Sequence, residues 1–244
     1  MPTLHEKAEK YFSSPLPSPT PQLTGHISQQ FDQQLQHLHQ RTLEMGGLVE
    51  EQTTLALMAL LHQDTQLAEQ VISRNRRVNA YEISLDEICV NLLVRQRPAG
   101  LDLRFVKATI KTVTDLERIG DEAKSMAYQA IALEQQENYL RYLPQLETLG
   151  WQTRHNLHET LNAFARLDLN AAEAVYAKAH VLKEDTFLRL SGQVLQYMFD
   201  DAQAIPHVLE MLWAGRALER ISERSCNICN YVSYCVSGKI RHTH

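Results

Sequence analysis

Two short acidic strings recur in this chain at a spacing that permits shared chemistry. In Asp115-Leu116-Glu117-Arg118-Ile119-Gly120-Asp121, Glu117 and Asp121 stand four residues apart, and Glu219 and Glu223 repeat the interval later in the chain, with Ser222 at the place of Gly120. On a helix, side chains four apart lie one above the other on a single face. Stacked like charges repel unless a cation lies between them. Carboxylate oxygens suit hard or borderline cations, so Glu117, Asp121, Glu219 and Glu223 are candidate ligands for a divalent metal such as Mg, Mn, Zn or Fe. The alternative is a solvated face on which Arg118 pairs with Glu122 and Asp121 with Lys124. Recurrence in both halves brings the two readings level. Gly120 costs about 1 kcal/mol relative to alanine inside a helix, which predicts that another group closely approaches the backbone there.

Other chemistry is weaker. Cys226-x-x-Cys229, with Cys235 beyond it, lacks the strand-to-helix setting of a redox motif and the four ligands of structural zinc, so these cysteines are read as small buried residues. His155 and His158, beside Glu159, are read as exposed surface, and Arg74, Arg76 and Arg77 as solubilising charges. A di-metal oxidase needs a Glu-x-x-His pair on core helices, and no histidine has a glutamate three residues before it. Phosphate-binding glycine loops, Gly-x-Ser-x-Gly and His-Glu-x-x-His are all absent. The reading is a protein that is not an enzyme.

The elements that carry these residues follow from composition and punctuation. Hydrophobic residues make up 44% of 244 positions and charged residues 22%, enough for a sizeable core. The net charge of −5 excludes a generally basic nucleic-acid binder. The longest apolar run, Leu55 to Leu61, is too short to cross a bilayer, the N-terminus lacks a secretory pattern, and four cysteines suit a reducing interior. A cytoplasmic location is expected. Five of the eight prolines precede Gly25, so residues 1–25 are read as an extended Pro-rich tail, with a short helix near His5 to Phe12. Beyond the tail, apolar residues recur at steps of three and four, as in Val106, Ile110 and Val113, and no stretch alternates like a half-buried strand. Breaks near Gln63-Asp64, Arg97-Pro98, Asn138-Pro144, Leu167-Asp168 and Ile205-Pro206 leave six long helices, with Asp64 and Asp168 as N-caps. The fold class is all-α.

The chain also repeats itself. Leu57-Met58-Ala59 leading to Asp64 answers to Leu161-Asn162-Ala163 leading to Asp168, and Gly46 answers to Gly150, all at an offset of 104. Leu116-Glu117-Arg118-Ile119 answers to Leu218-Glu219-Arg220-Ile221 at an offset of 102. Two tandem three-helix bundles related by internal duplication are predicted, over 26–138 and 139–238, followed by a C-terminal tail at 239–244.

These strings resemble the PhoU family. The residues that carry the resemblance are Glu44-Met45-Gly46-Gly47-Leu48, Asp102-Leu103-Arg104, the Asp115–Asp121 string, Ala217 to Glu223, Asn227-Ile228-Cys229, and Gly238 to Arg241-His242. The resemblance implies a cytoplasmic helical protein, often a homodimer, acting as a negative regulator of phosphate uptake and phosphate-responsive genes. Its implied partners are a sensor histidine kinase and the ATPase of a phosphate ABC transporter. No nucleic acid is implied, and membranes are met only through those partners. The resemblance also implies metal on acidic motifs from two helices of each bundle. The second-helix positions fall here on Asn75 and Asn79, and near Ala179 and Lys183, where an amide brings no charge and a lysine repels a cation. Alternatives are a metal-binding helical adaptor of another pathway and a carboxylate–metal enzyme.

Overall fold

The computed structural model describes residues 29–133, 143–179, 191, 192, 196, 198 and 205–239. Its helices are α1 (Gln29–His62), α2 (Thr65–Gln96), α3 (Gly100–Ala132), α4 (Leu143–Arg166), α5, described over 169–179, and α6 (Ile205–Ser237). No strand occurs among the described residues. The Pro-rich tail, including the helix expected near His5 to Phe12, lies outside them, as does Lys183.

The duplication is visible at the level of single hydrogen bonds. At the end of α1, Gln63 takes a left-handed φ of 53°, and the Asp64 N–H returns to the Ala59 carbonyl at 3.1 Å. At the end of α4, Leu167 takes φ 47°, and the Asp168 N–H returns to the Ala163 carbonyl at 3.0 Å. Both are helix terminations in which one left-handed residue redirects the chain and an orphan carbonyl is satisfied. The aspartate that closes one helix then opens the next. The Asp64 carboxylate accepts from the Leu67 N–H, and that of Asp168 from the Ala171 N–H, each at 3.0 Å. The α2–α3 break also falls where expected, at Arg97, whose φ is 46°.

Helices α1, α2 and α3 pack against one another as the first bundle, and α4 packs on α6 in the second. The halves meet along two seams, α1 with α4 and α3 with α6. On the first seam a Cβ at Gly46 would lie 2.8 Å from Leu161 Cδ2, and one at Gly150 would lie 2.3 Å from Leu57 Cδ1. Leu57 and Leu161 are themselves an equivalent pair, so each half drops its leucine onto the other's glycine. This is the reciprocal contact of a two-fold interface, held within one chain. The core runs across it: Phe105 of α3 stacks on Phe164 of α4 with ring centroids 6.4 Å apart, and His39 of α1 meets the Phe105 edge at 5.6 Å. Burial holds the His39 pKa below the usual histidine value, so the ring is a neutral core group.

Candidate functional site

In the first bundle the acidic pair faces α2. Asp121 is exposed and Glu117 half-buried on the same side of α3. Burial pushes the Glu117 pKa up, reinforced by the charge of Asp121, by that of Glu82 on α2, and by a hydrogen bond to Asp121. Arg118 opposes the shift more weakly. A carboxyl among carboxylates relieves repulsion by holding a proton.

A chain of amides stands behind the pair. Gln52 of α1 and Asn75 of α2 are buried, 1% and 3% exposed. The Gln52 Nε2 group donates to the Gly120 carbonyl at 3.1 Å and to Asn75 Oδ1 at 2.9 Å. Asn75 Nδ2 then donates to Asp121 Oδ1 at 2.8 Å and, more weakly, to Asn79 Oδ1 at 3.4 Å. The Gly120 carbonyl only accepts, so it fixes the polarity of the whole series: nitrogen toward Gly120, oxygen toward Gln52, nitrogen toward Asp121. Gly120 admits this approach. A Cβ there would sit 3.1 Å from both Asn75 Oδ1 and Val78 Cγ1, which meets the expectation drawn from its helical position.

As placed, Asn75 is hydrogen-bonded to the pair and is not poised as a cation ligand. A cation beside Asp121 would draw oxygen from α2, where Asn75 presents an N–H and the nearby oxygens belong to Asn79 and Glu82. Reversing the amide would turn nitrogen toward nitrogen at Gln52. In the second bundle, Glu219, only 9% exposed, is held by Arg216 one turn before it on the same helix. Ala179, near the equivalent α5 position, is fully buried. Among the described residues no group of three or more His, Cys, Asp or Glu side chains is placed to hold a metal.

The solvated-face pairs expected from spacing are also replaced. Asp121 takes Asn75 rather than Lys124, and Glu122 takes Arg220 of α6 at 3.2 Å rather than Arg118. Asp115, whose side chain is 6% exposed, accepts from Arg224 and from the Tyr231 hydroxyl across the same seam, each at 2.9 Å. His158 is half-buried instead of exposed: its Nδ1 lies 3.0 Å from Glu50 Oε1, which Arg154 also meets at 2.8 Å. The hydrogen bond to Glu50 raises the His158 pKa, against the effect of burial. Cys229 and Cys235 are buried free thiols pushed up to about 12 by burial, as inert small residues should be. Cys226 is half-buried.

An all-α chain of duplicated three-helix bundles, each carrying a stacked acidic pair on its last helix, is the class that this geometry defines. The sequence profile of the PhoU domain matches residues 42–130 and again 146–232. The chain belongs to the PhoU family. It is 41% identical over 223 residues to the phosphate-specific transport system accessory protein PhoU homolog of Pseudomonas aeruginosa, covering 90% of this chain and 91% of that one. It is 37% identical over 217 residues to the phosphate-specific transport system accessory protein PhoU of Escherichia coli, covering 89% of each. The crystal structure of PhoU from Pseudomonas aeruginosa superposes with a TM-score of 0.83 over 86% of this chain and 100% of that chain, at 37% identity. The phosphate transport system regulatory protein PhoU from Streptococcus pneumoniae gives 0.79 over 87% and 99%, at 28% identity.

Proposed function

We propose that this protein is a non-catalytic accessory of phosphate-specific transport: a cytoplasmic helical adaptor, working as a homodimer, that restrains phosphate uptake and phosphate-responsive gene expression. Its partners on this reading are a phosphate ABC transporter ATPase and a sensor histidine kinase. The observation that carries the reading is likeness over about nine-tenths of both chains to relatives that bear the accessory name. The hydrogen-bonded amide chain and buried ion pairs give long rigid helices whose outer faces can dock on other proteins. No described helix is long and apolar enough to cross a membrane. The proposed function does not depend on a metal at the acidic pairs.

The test is deletion of the gene in its source organism, with a phosphate-responsive reporter and affinity purification of the tagged protein. Derepression of the reporter at high phosphate and co-purification of the transporter ATPase or the kinase are expected. Unchanged expression with neither partner recovered would overturn the reading.

A further inference from the structure

Few large hydrophobic side chains among the described residues are exposed, and three of them share one line on α2: Ile83 at 62%, Val90 at 49% and Val94 at 70%. With Ala80 and Glu87, also exposed, they fall at steps of three, four, three and four. That is the a/d pattern of a coiled-coil seam. The inward faces of α2 are occupied by α1 and α3, so this outward seam is additional to the bundle. Beside it, toward α3, runs a cleft of about 430 Å³ lined by Glu82, Ile83, Asp86 and Glu87 of α2 and by Ile110 and Val113 of α3. The cleft has an apolar floor and three carboxylates on one rim. Glu82 also bears on Glu117, so the acidic field continues into the pair described above.

Charge decides the occupant. Glu87 stands at the middle of the line. Pairing two copies of α2 along it, parallel or antiparallel about its centre, sets Glu87 against Glu87 with Asp86 beside each. Like charges placed so disfavour self-association. A helix with apolar residues at the same spacing and lysine or arginine opposite Glu87, Asp86 and Glu82 would bury the three aliphatic side chains and neutralise the rim. We infer that the outer face of α2 is a docking seam for a basic amphipathic helix of a partner protein. The inference concerns the chemistry of a partner, and the phosphate pathway plays no part in it.

The test uses the full chain and two fluorescein-labelled peptides of about 21 residues, three heptads, each with leucine at the a and d positions and either lysine or glutamate at the flanks. Fluorescence anisotropy should show saturable binding of the lysine peptide and none of its glutamate twin. Ile83→Asp with Val90→Asp should weaken binding by about tenfold or more, given the value of burying such side chains. Asp86→Lys with Glu87→Lys should invert the preference between the peptides. All four positions are exposed or on the surface rim, and circular dichroism melts should match the parent. Equal binding of both peptides, unaltered binding by the Ile83 and Val90 variant, or no saturable binding would each overturn the inference. So would a parent dimer that this variant turns into a monomer, which would assign the seam to a second copy. An intrachain cross-link from benzoylphenylalanine at position 83 to residues 1–28 would assign it to the chain's own tail. Loss of the peptide result with intact reporter control removes this inference alone, and the reverse result removes only the adaptor reading.

Discussion

In the first bundle the later member of the acidic pair, Asp121, is held by a neutral amide borrowed from α2, whereas in the second bundle the earlier member, Glu219, the counterpart of Glu117, is held by Arg216 of its own helix. The two helices place their carboxylates at equivalent positions, and the surroundings have diverged. A few residues earlier the divergence is sharper. Asp115 is a buried carboxylate gripped by Arg224 and Tyr231, while its counterpart Ala217 is a small core residue. The α1–α4 seam behaves in the opposite way, with Gly46 and Gly150, Leu57 and Leu161, and both aspartate turns preserved as pairs. Packing between halves constrains both partners at once because no void or overlap is tolerated. A carboxylate needs donors but not particular ones, so its partners can differ between the halves.

That contrast can be broken most forcibly at Asp115. Asp115→Ala gives α3 the residue that α6 already has, yet strands Arg224 and Tyr231 at the seam. Denaturant unfolding should show a loss of about 3 kcal/mol, the cost of removing one member of a buried pair. Loss of less than about 1 kcal/mol would mean that the cluster is only surface charge. Next come the glycines. Gly150→Val should cost about 2 kcal/mol and Gly46→Val about 1 kcal/mol, because overpacking at Gly150 meets three atoms of Leu57 within 3.2 Å while Gly46 meets one free methyl within that range. Equal penalties, measured by thermal melts, would deny the asymmetry.

The amide chain is tested by undoing it. Asn75→Asp with Asn79→Asp should be destabilised in chelator and recover in millimolar Mn²⁺ by about 3 °C, through binding to the folded state, whereas the parent midpoint should stay put. Elemental analysis of the parent after purification without chelator should find no stoichiometric metal. The smallest effect is at His158. Its folded pKa is raised by Glu50, so its contribution is fully present below about pH 6.5, the unfolded value, and is lost as pH rises through the folded value. Between about pH 6 and pH 8 the parent should lose stability relative to His158→Gln. A constant difference would remove the pairing.

Much of this architecture is legible in the residues because the signals are local. Asp64 and Asp168 mark helix starts through bonds only three residues long, and Gly120 marks a close approach by its cost to its own helix. The partners of the acidic residues are not legible in the same way. Spacing suggested Lys124 for Asp121 and Arg118 for Glu122, since helical neighbours are what a sequence displays. The structure instead supplies Asn75 and Arg220, separated by 46 and 98 residues. Nothing local distinguishes Glu50, whose partners Arg154 and His158 lie 104 and 108 residues away. The one available signal was polar residues inside apolar stripes: Gln52 between Val49 and Leu55, and Asp115 between Val113 and Leu116. Such residues in a core position must find a partner.

The crossed leucines of the α1–α4 seam bear on how firmly the two bundles are held to each other. Splaying the two bundles would lift Leu57 and Leu161 from their glycine sockets together and leave Glu50 facing solvent without its cations. Hinge motion between the halves therefore has no cheap starting point. On the adaptor reading proposed above, a partner seated on one bundle would meet a partner on the other at a fixed distance and bearing, in the manner of a ruler.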